Sequence, residues 1–112
     1  MDKTPIFKLE IFIPTDHVDV LREALGRVGA GRIGNYDRCC SVMEVRGYWR
    51  PLEGANPFQG EVGQVETGTE CKVEVNCPRG LVKETIKAIR AVHPYEEPVI
   101  NILPLANHLF IE

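Results

Sequence analysis

No stretch of this chain approaches the about 20 consecutive apolar residues that a membrane-crossing helix needs, and no charged start leads into the shorter apolar run of a secretory leader. Those absences point to a soluble, cytoplasmic protein. Blocks of lysine and arginine are missing too: 13 Lys and Arg stand against 16 Asp and Glu, for a formal charge of −3. Such a chain lacks the electrostatic footprint that nucleic-acid backbones and anionic membranes select, so neither is expected as a partner. Cysteine is sparse and unpatterned. Cys39, Cys40, Cys71 and Cys77 show no CxxC spacing, and the adjacent pair would point to opposite faces of a strand, which makes it a poor chelate. Reduced thiols follow. What is present, at 112 residues with 44% hydrophobic and 26% charged, is enough to bury one core but not two. We read residues 1–112 as a single domain.

Residues 6–13 alternate, with Phe7, Leu9, Ile11 and Ile13 on one face and Lys8, Glu10 and Phe12 on the other, the pattern of a half-buried strand. Pro14-Thr15-Asp16 breaks it and offers Thr15 or Asp16 as a helix N-cap. Val18, Leu21, Leu25 and Val28 then make one apolar stripe, and Gly29, Gly31 and Gly34 end the helix. A second strand is expected from about Cys39 to Tyr48. Residues 49–64 carry Pro51, Gly54, Pro57, Gly60 and Gly63 with Trp49 and Phe58 and show no periodic pattern, so they read as a long loop of functional or mobile character, the alternative being a twisted hairpin extension. Residues 65–77 alternate cleanly as a long strand. Pro78 suits a first helical position, and Val82, Ile86, Ile89 and His93 form the stripe of a second helix. Residues 99–105 supply a fourth strand interrupted or ended by Pro104, and the apolar fragment 109–111 is either an edge strand or a subunit contact. The order β-α-β-β-α-β is the split βαβ pattern of an α+β, ferredoxin-like fold: a four-stranded antiparallel sheet with two helices on one face. Phe12, with Met43 or Val42, would then leave the other face apolar, which argues for self-association.

Chemistry concentrates in His93-Pro94-Tyr95-Glu96-Glu97-Pro98. The prolines fix their own φ and push His93 and Glu97 toward extended backbone, so the hexapeptide is a stiff bend into the last strand. His93 with Glu96 or Glu97 offers imidazole and carboxylate, ligands suited to zinc, iron or manganese. A full metal site would also need His17, His108 or a second subunit. The structural alternative is that His93 caps the helix carbonyls while Tyr95 packs and hydrogen-bonds. The glycine-rich turn 31–36, with Asn35 and Tyr36, could present N–H groups to an anion, although it does not open a helix as phosphate loops do. Cys40 could act as a nucleophile with His93 as base, or be a small buried residue.

Gly31-x-Ile33-Gly34-Asn35-Tyr36 followed by Cys40-Ser41, then Gly54-Ala55-Asn56-Pro57 with Gly60 and Gly63, then Glu66, and finally the hexapeptide, closely resemble the YqfO-type domain of the Nif-three-like proteins over nearly the whole chain. In larger family members this unit resembles an insert between two halves that carry a dinuclear metal centre, halves that have no counterpart in these residues. The resemblance implies a fold like the PII signalling and CutA proteins, assembled as a trimer with a dimer as runner-up, and a long loop between the second and third strands. It does not carry over the GTP-cyclohydrolase label of the larger proteins.

Two functions follow as expectations. The first is a small self-associating regulatory module that binds a metabolite or metal through His93, Tyr95, Glu96, Glu97, Asn35, Tyr36 and Cys40, with His93 and Glu97 as metal ligands, and contacts a protein partner through the 49–64 loop. The second is a metal-assisted hydrolase using His93, Glu96 and Glu97. No catalytic set is complete in the sequence, which favours the first.

Overall fold

The computed structural model describes residues 3–111. Strand β1 (Ile6–Ile13) is followed by a short 3-10 turn (Thr15–His17) and helix α1 (Val18–Val28), then by strands β2 (Ser41–Trp49) and β3 (Glu66–Pro78). A second 3-10 turn (Arg79–Leu81), helix α2 (Val82–Val92), strand β4 (Ile100–Pro104) and a final 3-10 turn (Asn107–Leu109) complete the order. The sheet runs β2-β3-β1-β4 and every pair is antiparallel. This is the ferredoxin-like sandwich that the element order anticipates.

Register follows from the alternation in β1 and β3. Leu9 faces Val75, Ile11 faces Val73 and Ile13 faces Cys71, so both central strands send the same parity toward the helices, where Leu21, Leu25 and Ile89 close the core. Truncating one of these to alanine would cost about 2–5 kcal/mol. Thr85 is buried among them, and its hydroxyl donates to the Leu81 carbonyl at 2.7 Å, which satisfies a polar group that the apolar stripe of α2 does not reveal.

Several boundaries differ from the expected ones for identifiable reasons. Helix α1 starts at Val18 after the 3-10 turn, and neither Thr15 nor Asp16 supplies a side-chain cap. Pro78 is the last residue of β3 rather than the first of a helix, because its extended ψ of 145 carries the ladder one residue further. The 109–111 fragment forms no edge strand but lies in and after the last 3-10 turn, with Phe110 83% exposed.

The helix-free face of the sheet departs most from expectation. Met43, Val45 and Phe12 do lie on it, since they pair with Lys72 and Glu70, whereas Val42 pairs with Val73 and faces the helix side. The middle of the face is ionic. Lys8 meets Glu74 at 3.4 Å, Lys72 lies 3.5 Å from Glu74 and 3.9 Å from Glu10, and the Asn101 amide donates to Glu10. Each lysine stands diagonally from a glutamate of the neighbouring strand, Lys8 from Glu74 and Lys72 from Glu10, which offsets the solvation lost by lying flat on a sheet, so the centre of this face needs no apolar cover.

Candidate functional site

Helix α2 stops because Pro94 holds its predecessor extended: His93 has φ −78 and ψ 129. That turn swings the imidazole to the end of β1, where Nε2–H donates to the Phe12 carbonyl at 2.6 Å and Nδ1 accepts the Tyr95 N–H at 3.2 Å. Both ring nitrogens are thereby engaged and the proton is assigned to Nε2. Burial holds the His93 pKa below its ordinary value, with His17 acting in the same direction and the Phe12 bond opposing. His93 thus ties α2 to β1 rather than capping its own helix carbonyls.

Tyr95 is the next piece. Its ring tilts against His93 at 4.9 Å and against Phe58 at 6.0 Å, and Phe58 in turn meets the His17 ring edge-on at 6.1 Å. The Tyr95 hydroxyl donates to Glu70 Oε1 at 3.2 Å. Burial and the adjacent Glu70 charge push the phenol up to about 12, so it stays protonated and keeps donating. Glu70 reaches this position across Gly47 of the neighbouring strand, where a β-carbon would collide with its carboxylate. A glycine inside a strand commonly marks such a close approach.

The 50–64 connection folds back over this corner with no helix or strand of its own. Trp49 Nε1–H donates to the Gln59 carbonyl at 3.0 Å, the Asn56 N–H donates to Glu96 Oε2 at 2.9 Å, and the Gly63 N–H donates to the Pro51 carbonyl at 2.8 Å. Gly68 makes room for the Trp49 ring, and Gly60, at φ +107, lies where a β-carbon would press on Glu66. Between this loop and the hexapeptide lies a cavity of about 550 Å³. Phe12, Trp49, Phe58 and Tyr95 give it aromatic walls, and Glu70, Glu96, Glu97 and Arg50 bring charge to it.

Not all the residues singled out in the sequence meet here. Tyr95, Glu96 and Glu97 line the cavity, and His93 supports it from behind. Asn35 and Tyr36 do not. Their turn closes through paired bonds between Ile33 and Tyr36 and is fastened by the Gly31 N–H to Asn76, six residues along β3 from Glu70 and hence roughly 20 Å away. Gly31, at φ +83, could carry no side chain there, since a β-carbon would lie 2.5 Å from the Cys39 carbonyl oxygen. Cys40 precedes β2 at the level of Val75, with β3 between it and β1, and it interacts with Arg22. It therefore has no base in His93, whose nitrogens are spent on Phe12 and Tyr95. Among the described residues no three His, Cys, Asp or Glu side chains converge as metal ligands would. Of the two expected metal ligands, His93 has both nitrogens engaged within the chain and Glu97 lines the cavity. The sequence reading missed Glu70 and Gly47, of which only the mid-strand glycine carried a signal, and it placed Phe12 on the free sheet face without linking it to the hexapeptide.

No protein-family model matches the chain. Among curated proteins, a "GTP cyclohydrolase 1 type 2 homolog" of Halalkalibacterium halodurans is 44% identical over 102 residues, covering 91% of this chain and 27% of that protein. Its Bacillus subtilis counterpart is 41% identical over 90% of this chain and 27% of its own length. The solved structure of a Bacillus cereus protein related to NIF3 matches with a TM-score of 0.82 at 36% identity, over 96% of this chain and 27% of that one. This chain is similar to one stretch of the NIF3-related, YqfO-type proteins. It spans about a quarter of the length of the curated relatives it matches. The likeness extends to the periplasmic divalent cation tolerance protein CutA of Archaeoglobus fulgidus, with a TM-score of 0.67 at 17% identity over 90% of this chain and 84% of that one, a shared fold. Among the described residues no helix of this chain is long and apolar enough to cross a membrane.

Proposed function

We propose that this chain is a self-associating ligand-binding module whose site is the cavity between the 50–59 segment and the hexapeptide. The observation that carries the reading is the closure of that cavity by contacts distant in sequence: Glu96 holds the Asn56 N–H, and Phe58 packs on Tyr95. A loop fastened to the very residues that line a cavity can report occupancy to a protein partner through its outer surface. Binding is favoured over hydrolysis because two of the three acid-base candidates of the hexapeptide are already engaged, His93 at both nitrogens and Glu96 by the Asn56 N–H. Zinc, iron and manganese remain ligands to test, since a second copy could add donors that one chain lacks. Self-association finds support in exposed apolar side chains off the ionic sheet face: Val42 and Tyr48 on β2, and Leu109, Phe110 and Ile111 near the end of the chain.

The test is a thermal-melt screen of the full chain against divalent metals, nucleotides, amines and small organic acids. A ligand present at 100 times its Kd should stabilise by about 2.7 kcal/mol. The expected result is at least one ligand whose stabilisation is lost in Tyr95→Ala and retained in Arg38→Ala, which lies outside the cavity. A screen in which nothing moves the wild-type melt, or in which every shift survives Tyr95→Ala, overturns the reading.

A further inference from the structure

Glu70, Glu96 and Glu97 all line the cavity, and among the described residues none of them forms an ion pair. Elsewhere on the same sheet the half-buried carboxylates are matched, Glu74 by Lys8 and Lys72, and Glu10 by Lys72. The contrast is local and chemical. Three carboxylates face one guanidinium, Arg50, which is exposed and pairs with none of them. Glu70 is the best placed of the three. It is half-buried on the cavity wall, its Oε1 is fixed by the Tyr95 hydroxyl, and the rings of Tyr95 and Trp49 line the same cavity. Glu96 already serves the loop through Asn56, and Glu97 is exposed at the rim.

Aromatic faces attract cations through the ring quadrupole, most strongly where water is excluded, and a positioned carboxylate beside them adds direct attraction. Neutral apolar ligands would leave the Glu70 charge without a counter-ion in a partly desolvated wall, and anions would meet three like charges. A hydrated divalent ion would use the carboxylates but gain little from Phe12, Trp49, Phe58 and Tyr95. Resting on the reading of this cavity as a ligand site, we infer that its occupant is a small organic cation: an ammonium or guanidinium group seated against Glu70, on an apolar or aromatic body that fills the space between Trp49, Phe58 and Tyr95.

Trp49 is the single tryptophan of the chain and lies in the wall, so its fluorescence reports binding directly. The full chain is titrated with 2-phenylethylamine, with the near-isosteric neutral 2-phenylethanol, with the anion phenylacetate, with manganese chloride, and with a short lysine-rich peptide. The expected result is saturable binding of the amine at least about tenfold tighter than the alcohol, an advantage that shrinks as salt rises, and no saturation by phenylacetate. Glu70→Gln should remove most of that advantage while leaving the alcohol unchanged. Should Glu70→Gln fail to fold, Glu97→Gln at the rim gives a smaller loss of the same sign. The inference is overturned if the alcohol or the anion binds as well as the amine, if manganese or the peptide saturates and the amine does not, or if no probe binds. Tight binding of the alcohol or anion would still leave the cavity a ligand site, which separates this failure from that of the broader reading.

Discussion

His93 shows how one side chain can organise a corner of the fold through two hydrogen bonds to backbone. Its ring is the brace between the end of α2, the end of β1 and the backbone of Tyr95, and it performs that task only as the neutral Nε2–H tautomer. A second proton would have to go on Nδ1, where the Tyr95 N–H points. The consequence for pH is fixed in sign: the folded pKa lies below the ordinary 6.5, so around and below that value the unfolded chain takes up more protons. The stability due to His93 is therefore complete above about pH 6.5 and is lost as pH falls through the lowered folded value. We expect His93→Leu to cost about 2 kcal/mol at neutral pH, through the orphaned Phe12 carbonyl and Tyr95 N–H. Its stability should also fall less steeply than wild type between about pH 6.5 and 5, where carboxylates contribute little. Urea melts across that range decide it, and parallel profiles for the two proteins would show that the imidazole does not titrate with folding.

At the scale of the element, the 50–64 connection is a strap with three named fasteners. Trp49 at the end of β2 and Phe58 within the segment both anchor it, one by an indole N–H and the other by ring contact. Without a ladder, its resistance to opening depends on those contacts and on a few hydrogen bonds, among them the Asn56 N–H to Glu96 and the Gly63 N–H to the Pro51 carbonyl, so it belongs to the low-stability end of the molecule. Limited chymotrypsin digestion is expected to cut first within it, at Leu52 or Phe58, which are 61% and 53% exposed. Glu96→Ala should speed that cleavage several-fold with a change in global stability no larger than about 0.5 kcal/mol, and Glu96→Gln, which retains an acceptor, should behave nearly as wild type. First cleavage inside α1 or α2, or equal rates for the two variants, would contradict the strap.

For the molecule as a whole, the open questions are what covers its edges and how many copies assemble. The ionic lattice of Lys8, Glu10, Lys72 and Glu74 removes the reason for burying the centre of the free face, because its pairs satisfy one another and contribute little if exposed. The edge strands β2 and β4 and the exposed Leu109–Ile111 segment remain. We expect a trimer in light scattering at micromolar concentration, and a monomer of 12.6 kDa would sink the proposal. Phe110→Ser tests the contact directly. At 83% exposure in the single chain it should shift monomer stability by no more than about 0.5 kcal/mol, so a fall in assembled mass would report an interface.

The sequence by itself determined the elements and their order, because period 2 in 6–13 and 65–77 and the helical stripe of 18–28 are local signals that the burial of Leu9, Ile11, Val73, Leu21 and Leu25 repeats. It also marked the hexapeptide and the long connection, since proline and glycine act on the backbone wherever they stand. Tertiary structure alone decided which polar residues meet. Glu70 sits on the strand face that alternation assigns to solvent, and only the return of the 50–64 segment and the Tyr95 hydroxyl turns it into a cavity wall. Asn35, Tyr36 and Cys40 looked equally suitable in the sequence, yet the antiparallel register carries them to the Asn76 end of β3. The separation is physical: spacing along a chain specifies which face a side chain takes, but strand order and register specify its neighbours.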